Sequence, residues 1–222
     1  MKKKLQFAAI ILLTVIFYNC GPSIRVIDTW KAPDISSVKS DKILVMARMD
    51  DLASRQLFEQ EIANKLQKNG MNAIASYVQY PSIKLNKKVS DDEIGNQVSK
   101  LKKDGFEAIV LTVVKDVKTE VITSETGGYV AGGYYPLHYG HYGGFGRYYG
   151  TFYSPYGIGG TYMPRSQRTY ESDIYKLETV IYDLDRDDNK QLVAVVSSKI
   201  TDPASASAVA GPYAKKVLGQ FK

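Results

Sequence analysis

Residues 106–123 read FEAIVLTVVKDVKTEVIT, and the change of character halfway along this stretch decides the fold. The first half, FEAIVLTVV, is a nearly continuous apolar run, the pattern of a strand covered on both faces. From Lys115 onward Asp116, Lys118 and Glu120 alternate with Val117, Thr119 and Val121, so one face of the second half is wet. A strand that is apolar throughout and then alternates lies centrally in a sheet and leaves the core as a ribbon.

Upstream, Lys42–Arg48 (KILVMAR) is a second strand of the doubly buried kind. Asp50 and Asp51 offer N-caps for a helix over residues 52–69. Phe58, Ile62 and Leu66 form its core stripe, Arg55/Glu59 and Glu61/Lys65 read as solvated i,i+4 pairs, and Gly70 is the expected C′ residue. Residues 71–78 read as a strand. Ser90-Asp91-Asp92-Glu93 is a capping box for a helix ending at Asp104-Gly105, with Ile94, Val98 and Leu101 on one face. At the front, residues 24–30 form a short strand stopped by Pro33.

Downstream, residues 170–184 alternate with Tyr175, Leu177, Thr179 and Ile181 on one face. Residues 190–200 follow, with Leu192, Ala194 and Val196 inward. Asp202-Pro203 reads as an N-cap with proline at N1, and Val209, Tyr213, Val217 and Phe221 line the last helix. Gly211-Pro212 predicts a kink or break in it. The order β-β-α-β-α-β-[insert]-β-β-α is an α/β fold leaning to α+β, a mixed sheet with helices packed on it and a long β-hairpin arm carrying an insertion.

That insertion, residues 127–164, holds 12 of the 18 glycines, 10 of the 17 tyrosines, both histidines and one charge, Arg147. Glycine gives backbone freedom, and tyrosine gives flat contact area with few rotors. Such a mixture suits adaptable contacts and is expected to contribute little to the core, so its replacement by a short turn should leave stability nearly unchanged. Tyr134, Tyr135, Tyr139, Tyr142, Tyr148, Tyr149, Tyr153 and Tyr156 are the candidate interaction residues. They could stack on glycan, lie at a lipid headgroup interface or pair with their own kind; an inert hairpin insertion is the bland alternative.

His138 and His141 have H-x-x-H spacing, but no Cys, Asp or Glu lies in the segment to complete a zinc site, so they are weak metal candidates. Asp183-Leu-Asp185-Arg-Asp187 opens like a calcium loop, yet Asp188 replaces the glycine at position six and Ala194 the glutamate at position twelve; a hairpin turn fits better. No P-loop, dinucleotide fingerprint or nucleophile elbow is present, so no catalytic residue and no cofactor is assigned.

The remaining feature is the N-terminus. Lys2, Lys3 and Lys4 precede an uncharged run over residues 5–18, too short for a stable membrane span, and then Cys20, the only cysteine. This order resembles a bacterial lipoprotein signal peptide, although Phe17-Tyr18-Asn19 lack the small residues usual before the cysteine. The resemblance implies cleavage after residue 19 and lipid on Cys20, with outer-membrane anchoring facing the periplasm because Gly21-Pro22-Ser23 carries no acid. An uncleaved anchor with an incidental cysteine is the alternative. The expected parts are thus a signal peptide at 1–19, a lipid-anchored N-terminus with short strand and tether at 20–40, and one domain at 41–222.

Removing the signal lowers the formal charge from +6 to +3 and leaves no basic face for nucleic acid. The Thr29–Pro33 stretch TWKAP, KILVMAR, Arg55 with Phe58-Glu59, Asn69-Gly70 and Gly105-Phe106-Glu107-Ala108 resemble a family of uncharacterised bacterial lipoproteins with a Gly/Tyr-rich segment. The strand–helix order is more distantly similar to the N-terminal domain of the TolB translocation protein and to the curli-secretion lipoprotein. The expectation is a non-enzymatic envelope protein, anchored in the membrane by its lipid, with an envelope protein or glycan as partner. A glycan- or small-ligand-binding module is the second reading and a hydrolase the third.

Overall fold

The computed structural model describes residues 23–83, 90–123, 144–145, 169–187 and 189–221. Six strands make one open mixed sheet: β1 (Ser23–Lys31), β2 (Lys42–Arg48), β3 (Asn72–Ala75), β4 (Ala108–Thr123), β5 (Thr169–Asp183) and β6 (Leu192–Thr201). Their order across the sheet is β1-β6-β5-β4-β2-β3. β2 is parallel to both β3 and β4, while β4, β5, β6 and β1 are successively antiparallel. Four helices pack on it: α1 (Leu52–Lys68), α2 (Ser76–Gln79), α3 (Asp91–Lys103) and α4 (Ala206–Leu218). The fold is α+β, with the parallel crossovers confined to the β2–β4 half.

The apolar runs sort onto two faces as their strand periodicity requires. Ile43, Val45 and Ala47 of β2 join Ala108 and Val110 of β4 in the core under α1 and α4, with Phe58, Ile62, Leu66, Val209, Tyr213 and Val217. Leu44, Met46, Ile109, Leu111 and Val113 face the other way, where Ile94 and Leu101 of α3 meet Phe106 and Tyr182. Tyr213 is fully buried and its hydroxyl stands 2.9 Å from Thr179 Oγ1, which stands 2.8 Å from Thr112 Oγ1. Burial pushes the Tyr213 phenol up to about 12, with the hydrogen bonds to Ser198 and Thr179 pulling the other way.

The helix ends follow the local signals. Asp51 caps α1 by accepting from the Ser54 N–H at 2.7 Å. Ser90 and Glu93 form the reciprocal capping box of α3. Gly70 (φ +83°) and Gly105 (φ +79°) occupy the left-handed positions that close α1 and α3.

Five expectations outside the insertion are corrected. The strand after α1 stops at Ala75, because the chain coils into α2 where the Tyr77 N–H meets the Glu59 carboxylate. α4 starts at Ala206 with Ser205 as its cap; Asp202 is bonded back to β5 instead. α4 also runs unbroken through Pro212, whose ring is on the exposed side while Val209, Ala210, Tyr213 and Ala214 hold the buried side. Leu192 does not share a face with Ala194 and Val196: the register shifts between Ile181 and Tyr182, so Leu192 pairs with Tyr182 and packs on the α3 side. The fifth, the exposure of Arg55 and Glu59, is described with the site.

Candidate functional site at the base of the ribbon

One row of paired residues crosses four strands: Ser23 opposite Thr201, Thr201 opposite Ile174, and Ile174 opposite Lys118. On one side of this row lies the layered domain. On the other, only β4 and β5 of the described strands continue. β2 leaves β4 at Arg48↔Val113, and β6 ends at Thr201. Asp202 makes the exit. At φ +48° it turns the chain away, its N–H donating to the Asp173 carbonyl at 2.8 Å. Its carboxylate accepts from Ser172 Oγ and the Asp173 N–H, each at 2.8 Å. Among the described residues, 119–123 and 169–173 then pair with each other alone, a two-stranded ribbon of about 17 Å at 3.4 Å per residue.

On the face covered by α1 and α4, the ribbon base opens into a cleft of ≈ 340 Å³. Phe58, Val117, Tyr175, Leu177, Ile200 and Val209 contribute its apolar walls, and Asp50, Asp51, Ser54 and Ser205 its polar lining. Two helices begin here, but both N-termini are already capped, by Asp51 and Ser205. The Ser54 hydroxyl, followed by its N–H, holds the Asp51 carboxyl below the ordinary carboxylate range. The cleft is suited to an apolar guest of small cross-section. Leu52, at the start of α1 beside Asp51, is 60 % exposed. A second cleft, of ≈ 380 Å³, is lined by Leu66, Met71, Val110, Ile181 and Phe221, away from the ribbon.

On the opposite face, the register shift between Val114 and Asp116 accompanies a buried ion pair. Lys115 Nζ lies 3.1 Å from both oxygens of the fully buried Glu178, and Ser197 Oγ donates to the same carboxylate at 3.2 Å. Asp116 pairs with Lys176 at 3.4 Å and with Lys118 at 3.5 Å. Burial, with the Glu178 charge second, raises the Tyr182 phenol above its ordinary value. Against Tyr182 packs Phe145, edge-on at 5.7 Å and 2 % exposed, with its N–H donating to Gln191 Oε1 at 3.0 Å. The Gly/Tyr-rich insertion therefore contributes a core residue, contrary to expectation: unlike the tyrosines, Phe145 has no polar tip to keep wet.

Cys20, the eight candidate tyrosines, His138 and His141 all lie outside the described residues. Among the described residues no cluster of three or more His, Cys, Asp or Glu could hold a metal, and no helix is long and apolar enough to cross a membrane. Asp183 is engaged within its turn, accepting from Arg186 Nε at 2.8 Å and the Asp185 N–H at 3.1 Å. Arg55 and Glu59, expected to be solvated, are 5 % and 0 % exposed. Glu59 accepts from Arg55 Nε (2.8 Å), Ser76 Oγ (2.8 Å) and the N–H groups of Ala47 (3.0 Å) and Tyr77 (2.8 Å). Arg55 also reaches the Ile83 carbonyl and Ser76 Oγ, each at 2.9 Å. This network fastens α1 to β2 and α2. Helical spacing gave no sign of it, because i,i+4 geometry is the same wet or dry.

No protein-family model matches the chain, and no curated protein sequence does. Solved structures similar to it include two of PelC from Paraburkholderia phytofirmans, determined as dodecamers, at 12 % and 11 % identity with TM-scores of 0.42 and 0.43. Each alignment covers 90 % of this chain and 96 % of PelC. Lipoprotein GNA1162 from Neisseria meningitidis is another, at 14 % identity and TM-score 0.39, covering 81 % of this chain and 96 % of that one. A lipoprotein is thus among the structural neighbours; likeness at this level transfers no residue's role.

Proposed function

We propose that the chain is a lipid-anchored cell-envelope protein with a non-enzymatic interaction or structural role. Cys20 holds it at the outer membrane on the periplasmic side, and the tyrosines of the insertion make the contacts. The observation that carries this reading is the row Ser23–Thr201–Ile174–Lys118. It puts the strand that follows Cys20 and the ribbon that leads to residues 127–164 at the same end of the sheet. Three residues reach at most about 11 Å, which is shorter than the ribbon, so a lipid on Cys20 brings the ribbon to the membrane surface. Tyrosine, with an apolar ring and a polar tip, suits contacts made there.

The test has two parts. Cys20→Ser should abolish fatty-acid labelling and leave an uncleaved precursor; normal cleavage and membrane fractionation in that variant would remove the anchor. Photocrosslinkers at Tyr134, Tyr149 and Tyr156 in intact cells should each catch an envelope component, and adducts from none of them would move the contacts elsewhere.

A further inference from the structure

We infer that the cleft at the ribbon base takes up an acyl chain carried on Cys20 of the same molecule. The inference rests on the lipid-anchor reading and adds a destination for part of the lipid. Its walls are the apolar side chains Val117, Tyr175, Leu177, Ile200 and Val209, with Phe58 behind them. Its volume, ≈ 340 Å³, is within the range of small-molecule pockets. Of its polar lining, Asp51 is occupied by Ser54 and Ser205 by the Ala208 N–H, while Asp50 is exposed to solvent.

The occupant is chosen by where the chain runs. β1 begins at Ser23, paired with Thr201, the neighbour of the lining residue Ile200. Ile24 pairs with Ile200 itself and is buried in the same core as Phe58 and Val209. Cys20 is three residues before Ser23, within about 11 Å of it in any conformation. A guest attached to Cys20 meets this cleft as an intramolecular ligand, at an effective concentration on the order of millimolar. Exposed Leu52 and half-buried Ala206 extend the apolar surface at the same end. The cleft bounded by Leu66 and Phe221 lacks this advantage, since none of its lining residues pairs with β1 whereas Ile200 does.

The test is a benzophenone amino acid at position 117 or 206, introduced into the full chain in growing cells, irradiated, and followed by mass spectrometry of the peptides. Both positions should give an adduct with the protein's own N-terminal peptide through its acyl group. Position 78, on the exposed face of α2, should give none. Ala206→Trp, which fills the cleft from its rim, should remove the adduct from position 117 without changing the far-ultraviolet circular dichroism. Adducts with phospholipid or another protein, equal labelling from position 78, or no adduct from either cleft position would each overturn the seating of the acyl chain. The mass of the N-terminal peptide separates this from the anchor itself: a peptide beginning at Cys20 without acyl mass overturns the lipid-anchor reading as well.

Discussion

Glu59 has no exposed surface and accepts four hydrogen bonds, from Ala47, Arg55, Ser76 and Tyr77. A buried carboxylate is tolerated when its charge is paired and its oxygens are filled, and it becomes costly when one partner is taken away. Arg55→Met should therefore cost about 3–5 kcal/mol, read as a lower midpoint in urea unfolding. Combining it with Glu59→Leu should recover part of the loss, because the second change removes the stranded charge. Asp51 shows the exposed counterpart. Its carboxyl is lowered by the Ser54 hydroxyl and N–H, so its stabilisation is full above the unfolded carboxylate range near pH 4 and is lost as pH falls through the lowered value. The stability difference between the parent and Asp51→Ala should be present near pH 6 and close near pH 2. A difference independent of pH would show that the cap's charge plays no part.

Phe145 changes what the insertion means for stability. It is packed on Tyr182 in the core beneath α3's side of the sheet and fixed by Gln191. Phe145→Ala should cost about 3–5 kcal/mol, and replacing residues 127–164 with a Gly/Ser turn should cost at least as much. Thermal unfolding of the two variants side by side checks this; parent-like stability in both would mean that Phe145 contributes nothing. The elements themselves were largely legible. β2 and β4 announce themselves because two-sided burial writes unbroken apolar runs, and Asp51, Ser90, Gly70 and Gly105 mark helix ends through backbone needs that are local. What was hidden depends on distant partners. Ala75 ends β3 because Glu59 receives Tyr77, Pro212 stays helical because Tyr213 and Val209 are anchored, and Arg55 is buried by neighbours its spacing cannot name. The site divides the same way: alternation after Lys115 foretold the ribbon, whereas the cleft needs Ile200 and Val209 brought beside Val117.

At the scale of the molecule, the sheet is assembled from both ends of the chain. The parallel half, β2 to β4, is contiguous in the chain, with pairs such as Ile43↔Ala108. β1 instead pairs with β6, and the Lys216 ammonium reaches the Ile24 carbonyl across 192 positions. A chain truncated after Asp187 should thus leave residues 23–31 open to protease while the intact protein protects them; equal protection in both would show that β1 finds another partner. This arrangement sets an order on folding. Loop-closure entropy for so long a separation is met only after the last strand and helix exist. The first of the described strands along the chain is then the last to find its neighbour, and until that moment β6 would present an unpaired border able to recruit a strand from another chain. The docking of β6 and α4 against β1, wherever the chain folds, is what seals the edge.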